Sequence, residues 1–236
     1  MLYPQINESR ESLCLNGLWQ FCRDPEDRGL DAGWADGLPA DSSRMPVPCS
    51  LNELSTDRAE ADLHGVMWYA IEVIPPKSWS GRRIRLRIGA AAHRQTVFCN
   101  GTEAGSHKGG FLPCDVDLSE SIHPGEANRI VLRLDSRLDW STLPPGVRET
   151  SGDFPSYQVE DRQKYFHDFY NDSGIHRAVH LYATEPAAIT AVRCHSLHDA
   201  DGSVALAYEV DSTDGNEAVE LRLLDESGKQ AGQASG

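Results

Sequence analysis

Short runs of alternating apolar and polar residues recur along almost the whole chain, bounded by Gly, Pro, Asn and Asp, and helical spacing is nearly absent. Such a pattern predicts antiparallel strands stacked as a sandwich. The run "RRIRLRIG" shows it best: Ile84, Leu86 and Ile88 fall on one face and Arg83, Arg85 and Arg87 on the other, as the two-residue period of a strand requires. The arginine stripe reads as a solvated sheet face in preference to a binding patch. In "QTVFCNGTEAG", Asn100 and Gly101 supply the positive φ angles of a tight hairpin turn. "NRIVLRLDS" puts Ile130, Leu132 and Leu134 on one face, and "RAVHLYATEP" gives a strand that stops near Pro186.

Beyond that proline come "ITAVRCHSL", "GSVALAYEVDS" and "AVELRLLDESG", three strands separated by the polar turns "HDAD" and "TDGNE". A boundary near 184–187 divides the chain into residues 1–185 and 186–236. The second segment has roughly half the residues of an immunoglobulin-like sandwich. Its three strands leave a sheet edge and an apolar face uncovered, so it is expected to be weakly stable or to associate. The ending "ESGKQAGQASG" is unlike the end of a domain, and the chain is expected to be the front portion of a longer protein.

The chain has 236 residues, 39% of them apolar and 25% charged, the composition of an ordinary globular protein. The formal net charge is −14 with scattered basic residues, which argues against nucleic acid and anionic membranes as partners. The N-terminus lacks an apolar segment flanked by basic residues, and no stretch approaches the length of a membrane span; a cytoplasmic location is expected. The six cysteines, Cys14, Cys22, Cys49, Cys99, Cys114 and Cys194, are widely spaced and are expected to be reduced.

The densest chemistry lies in "YFHDFYNDSGIHRAV", residues 165–179. In an extended segment Tyr165, His167 and Phe169 share one side, and Phe166, Asp168 and Tyr170 share the other. A carboxylate framed by two rings suits a sugar: the rings cover C–H faces and the carboxylate accepts hydrogen bonds from hydroxyls. Equally, Asp168 serves to tie down the following turn through backbone N–H groups. His176 and His180 have the spacing of metal ligands on a helix, but "GIHRAVHLY" reads as a strand, where the rings do not converge. His195 and His198 are no better placed, and neither metal nor cofactor is expected. "HKGG" at 107–110 lacks the Lys-Ser/Thr of a phosphate loop, so its glycines are read as permitting a sharp loop.

"LNGLWQF", "GVMWYAIEVIP", "VFCNGTEAGSHKGGFLPCDVDLS", "LDWSTLPPG" and "YFHDFYNDSGIHRAVHLY" together resemble the N-terminal part of β-glucuronidases, members of glycoside hydrolase family two. The resemblance implies an all-β chain: a jelly-roll β-sandwich of the galactose-binding-like kind, then a truncated immunoglobulin-like β-sandwich. The TIM barrel, which in such retaining enzymes carries two glutamates about 5 Å apart, is absent from these residues. It further implies that Asp168 contacts hydroxyls of a β-glucuronide while His167, Phe166 and Tyr170 shape the loop. The full-length protein would be a homo-oligomer hydrolysing β-D-glucuronosides. A lone carbohydrate-binding or oligomerisation module is the alternative. The connection "VRETSGDFPSYQVEDRQK" departs from the family pattern by being longer and more acidic.

Overall fold

In a computed structural model, residues 4–54, 64–149, 162–166, 171–198, 201–202, 204–213 and 218–235 are described. The chain divides into two compact units, Met1–Ala183 and Thr184–Gly236, and almost all of its regular structure is β.

The first unit is a sandwich. Its larger sheet runs in the order β3 (Ser43–Val47), β2 (Gly17–Asp24), β4 (Val66–Val73), β9 (Asn128–Asp135), β6 (Arg94–Cys99), β7 (Thr102–Lys108). All of its neighbouring strands are antiparallel. The smaller sheet has the order β1 (Arg10–Cys14), β12 (Val179–Thr184), β5 (Arg83–Ile88), β8 (Cys114–Asp117). The expected faces meet between the sheets: Ile84, Leu86 and Ile88 are buried with Ile130, Leu132 and Leu134 in one cluster that also holds Trp19, Tyr69, Val116 and Leu181. Removing this apolar area from water is the main favourable contribution to the fold. At the β6–β7 hairpin Asn100 has φ 50° and Gly101 φ 80°, the mirror-image turn that the Asn-Gly pair favours.

The outward side of β5 is more engaged than a bare solvated stripe. Arg83 Nε donates to Asp117 Oδ2 at 2.6 Å, and Arg87 Nη1 donates to Asp115 Oδ2. Opposite charges facing each other across an antiparallel pair support the register, here Arg87↔Asp115 and Arg85↔Asp117.

The larger sheet is covered on its second face as well. Val66, Trp68, Ala70, Phe98 and Val131 form a separate buried cluster against Trp34, Ala35 and Leu38, which explains why residues 66–71 of β4 are a continuous apolar run. The covering segment is fastened by Asp24, whose carboxylate accepts hydrogen bonds from Arg28 N (2.8 Å), Gly29 N (2.8 Å) and Trp68 Nε1 (2.9 Å). Burial pushes the Asp24 carboxyl up, but these donors together with Arg133 outweigh it and hold the group below its ordinary value.

The second unit consists of two antiparallel hairpins: β13 (Ile189–His198) with β14 (Val204–Ser212), and β15 (Glu220–Leu224) with β16 (Gln230–Ser235). One more strand is present than the three expected, because "QAGQAS" carries no apolar alternation to announce it. Asp225 makes the turn, its carboxylate accepting from Ser227 N (2.9 Å) and Lys229 N (3.0 Å). Ile189, Val192, Leu197, Val204, Leu206, Leu223 and Leu224 are all exposed.

Two outcomes follow. Asp24→Ala leaves three donors without their acceptor and is expected to cost about 2–4 kcal/mol in urea unfolding; because the folded carboxyl titrates low, its contribution is present above about pH 4 and disappears as pH falls further. In native-state hydrogen exchange, amides of β13–β16 are expected to exchange far faster than those of β4 and β9; equal protection in the two units would contradict this.

Candidate functional site

The site grows from the place where the chain crosses from one sheet to the other. Between β5 and β6, Ala90, Ala91, Ala92 and His93 are all buried, so their backbone polar groups need partners inside the protein. Residues 174–178 supply most of them. Gly89 N donates to Ala178 O (2.9 Å), His176 N and Arg177 N donate to Ala90 O (3.2 and 3.3 Å), and Ala92 N donates to Gly174 O (3.1 Å). Ala91 and Ile175 form an antiparallel bridge. The end of the "YFHDFYNDSGIHRAV" stretch is thereby fixed to the sandwich core.

His93 ties three segments together. Its backbone N donates to Asp135 O (3.0 Å), its carbonyl accepts from Gly109 N (2.8 Å), and its Nε2 is hydrogen-bonded to Asn171 Oδ1. Phe111 lies between two imidazoles, 6.2 Å from His93 and 5.7 Å from His176 by ring centroids. The loop reaches this position because residue 110 is glycine: a Cβ there would come 2.5 Å from His93 Nδ1. Arg177 Nη1 holds the loop from the other side through Phe111 O at 3.0 Å. Among the described residues, His93 Nδ1 is buried without a hydrogen-bond partner.

Both imidazoles are held below their ordinary pKa. For His93 burial is the largest cause, opposed by the Asn171 hydrogen bond; for His176 burial again leads, opposed by Asp172 and reinforced by Arg177 and His93.

A second part of the site lies on the segment following β9. Asp139 closes a tight turn, its carboxylate accepting from Ser141 N at 2.6 Å and from Arg94 Nη2, while Arg94 Nη1 binds Arg137 O at 2.8 Å. The short ribbon β10 (Gly146–Glu149) with β11 (Arg162–Tyr165) is fastened to this segment by Gln163, which accepts from Leu138 N and donates to Ser136 O (3.2 Å). As a result Trp140 and Phe166, 26 residues apart in sequence, stack with centroids 5.1 Å apart and planes at 7°. Both rings face solvent: Trp140 is 73% exposed and Phe166 47%.

Of the expected loop residues, Phe166 is the one whose position is described; His167, Asp168 and Tyr170 lie outside the described residues. Asn171 and His93, which anchor the segment just after them, carried no sequence signal, because their contact joins residues 78 apart. Trp140 lay in "LDWSTLPPG" but its stacking partner is not local. "GIHRAVHLY" is not one strand: β12 starts at Val179, and residues 176–178 belong to the anchor described above. His176 turns to Phe111, while burial and Arg87 lower the pKa of His180 on β12. Among the described residues no three His, Cys, Asp or Glu side chains gather as metal ligands. The glycines of "HKGG" do permit a sharp loop, against His93.

Residues 13–186 match the family "Glycosyl hydrolases family 2, sugar binding domain". The chain is 39% identical to a β-glucuronidase of Paenibacillus borealis, over 100% of this chain and 39% of that protein, and 35% identical to the β-glucuronidase of Canis lupus familiaris, over 100% of this chain and 38% of that one. It superposes on a Ruminococcus gnavus β-glucuronidase solved in complex with D-glucuronic acid with a TM-score of 0.88 and 36% identity, covering 99% of this chain and 40% of that one. The chain thus spans about two fifths of the length of these relatives.

The paired imidazoles give a pH dependence with a definite sign. Each is harder to protonate in the folded protein than in the unfolded chain, so their contribution to stability is complete above about pH 6.5 and is lost as pH falls below it. Thermal melts are expected to show a decline from pH 7.5 to 5.5 that is reduced in the double variant His93→Asn, His176→Gln; an unchanged slope would remove the two rings as its cause.

Proposed function

The chain belongs to glycosyl hydrolase family 2, and on that premise we propose that it contributes the sugar-contacting front of a β-glucuronidase-like retaining hydrolase, with Asp168 receiving hydroxyls of the bound β-D-glucuronide. The observation that carries the reading is similarity to β-glucuronidases along the full chain and not over a motif alone. Asp168 stands two residues after Phe166 and three before Asn171, of which Phe166 stacks on Trp140 and Asn171 is held to the sandwich by a half-buried hydrogen bond to His93. The Asp168 carboxylate repels the acid group of a glucuronide and is suited to neutral hydroxyls at the other end of the sugar.

Asp24, Asp117, Asp135 and Asp139 are all held below their ordinary pKa by donated hydrogen bonds, whereas the proton donor of a retaining glycosidase needs its pKa raised. The bond-breaking pair is assigned to the barrel that this family's enzymes carry.

Two assays test the proposal. The purified 236-residue chain is expected to release no more 4-methylumbelliferone from its β-D-glucuronide than a buffer blank. When the segment is joined to a family-two catalytic barrel, Asp168→Ala is expected to lower kcat/KM by about 10- to 100-fold, the equivalent of one charge-assisted hydrogen bond. Turnover by the chain alone, or full activity of the variant, would sink the assignment.

A further inference from the structure

Trp140 and Phe166 are the two exposed Trp or Phe side chains among the described residues, and they are stacked against each other. A tryptophan left 73% exposed does little for folding, since its ring is still largely in water. Yet its support is elaborate: the Asp139 turn beneath it is fixed by Arg94 and Ser141, and Gln163 fastens the ribbon that presents Phe166. One face of Phe166 meets Trp140 and Lys164 Nζ lies 6.0 Å from its ring centroid, which leaves the outer face of Trp140 as the accessible apolar surface.

We infer that the Trp140–Phe166 stack is a platform for the ring on the leaving-group side of a β-glucuronide, an aryl group or a second pyranose that lays its apolar face on the indole. The inference rests on the function proposed above and names a substrate feature for it: a ring joined through the glycosidic oxygen. Aromatic side chains stack on aryl rings and cover the C–H faces of sugars. Pre-stacking fixes the indole before the ligand arrives, so little side-chain freedom is lost on binding. Charge also favours it. Lys164 beside Phe166, and Lys108, whose Nζ donates to Ser141 Oγ at 2.5 Å, set two cations next to the platform in a chain of formal net charge −14. They offset locally the repulsion of an anionic glucuronide.

The test uses the five tryptophan indole N–H signals of the purified chain in ¹H–¹⁵N NMR, with Trp140 assigned by its loss in Trp140→Ala. Phenyl β-D-glucuronide and the disaccharide of glucuronic acid β-linked to glucose are expected to shift the Trp140 signal saturably, with dissociation constants in the millimolar range. Methyl β-D-glucuronide, which has no second ring, is expected to leave it in place. The stronger of the two ring-bearing ligands identifies the aryl or the pyranose source. Phe166→Ala is expected to weaken both by about fivefold, and Phe166→Tyr to restore them, which separates loss of stacking from disturbance of the ribbon. An unmoved Trp140 signal, or an equal response to the methyl glycoside, overturns the platform. Shifts confined to signals flanking residue 168 would do so too while leaving the Asp168 assignment standing.

Discussion

The buried crossing between the two sheets constrains everything else in the first unit. Ala90, Ala91 and Ala92 sit between β5 and β6 with no solvent contact, and an unpaired peptide group there would cost on the order of 1–3 kcal/mol. The backbone of 174–178 and the carbonyl of Asp135 meet that demand. In doing so they set where the candidate loop must end, and through the His93–Asn171 hydrogen bond they extend the anchor back to the residue three places after Asp168. Small side chains make the arrangement possible: alanines at 90–92 and glycines at 110 and 174 let three segments approach one another closely, and the close-packed interior has no room for larger ones.

The alternation of "RRIRLRIG" and "NRIVLRLDS" was enough to place β5 and β9 and to say which face each buries, because the pleat couples position to side. Asn100–Gly101 likewise marked its hairpin, a local conformational preference written in two residues. Where these readings fell short, the cause lies in what periodicity leaves out. β4 is buried on both faces over residues 66–70 because the segment carrying Trp34 returns over it, and β16 is held by its partner and turn with two alanines as its apolar side chains. The arginine stripe looked solvated since its partners, Asp115 and Asp117, stand on a strand about 30 residues later.

The candidate site was legible as a stretch of sequence, and its geometry was not. Phe166 stood out among the aromatics around Asp168, but the ring it stacks on, Trp140, belongs to a different segment, and Gln163 and Leu138 decide that the two meet. His93, which joins three segments, occurs in "AAHRQ" with nothing local to mark it. Its partners at 109, 111, 135 and 171 are assembled by topology.

Division of labour within the unit follows from how it treats acids and rings. The two buried aspartates among the described residues, Asp24 and Asp135, are both committed. Asp24 serves two backbone N–H groups and an indole, and Asp135 takes the guanidinium of Arg137 at 2.8 and 2.7 Å. Donors of this kind stabilise the charged form and lower proton affinity, so burial here makes a carboxylate an anchor and not an acid. Aromatic residues divide the other way: Trp19, Trp68 and Trp79 are buried, while the Trp140–Phe166 pair stays in water on a turn and a ribbon. As the proposed platform, a surface of that kind would offer contact and orientation, which act on the ground state and the transition state of a glycoside alike. Such uniform binding lowers the concentration of substrate needed and leaves the chemical step to groups whose interactions strengthen as the bond breaks.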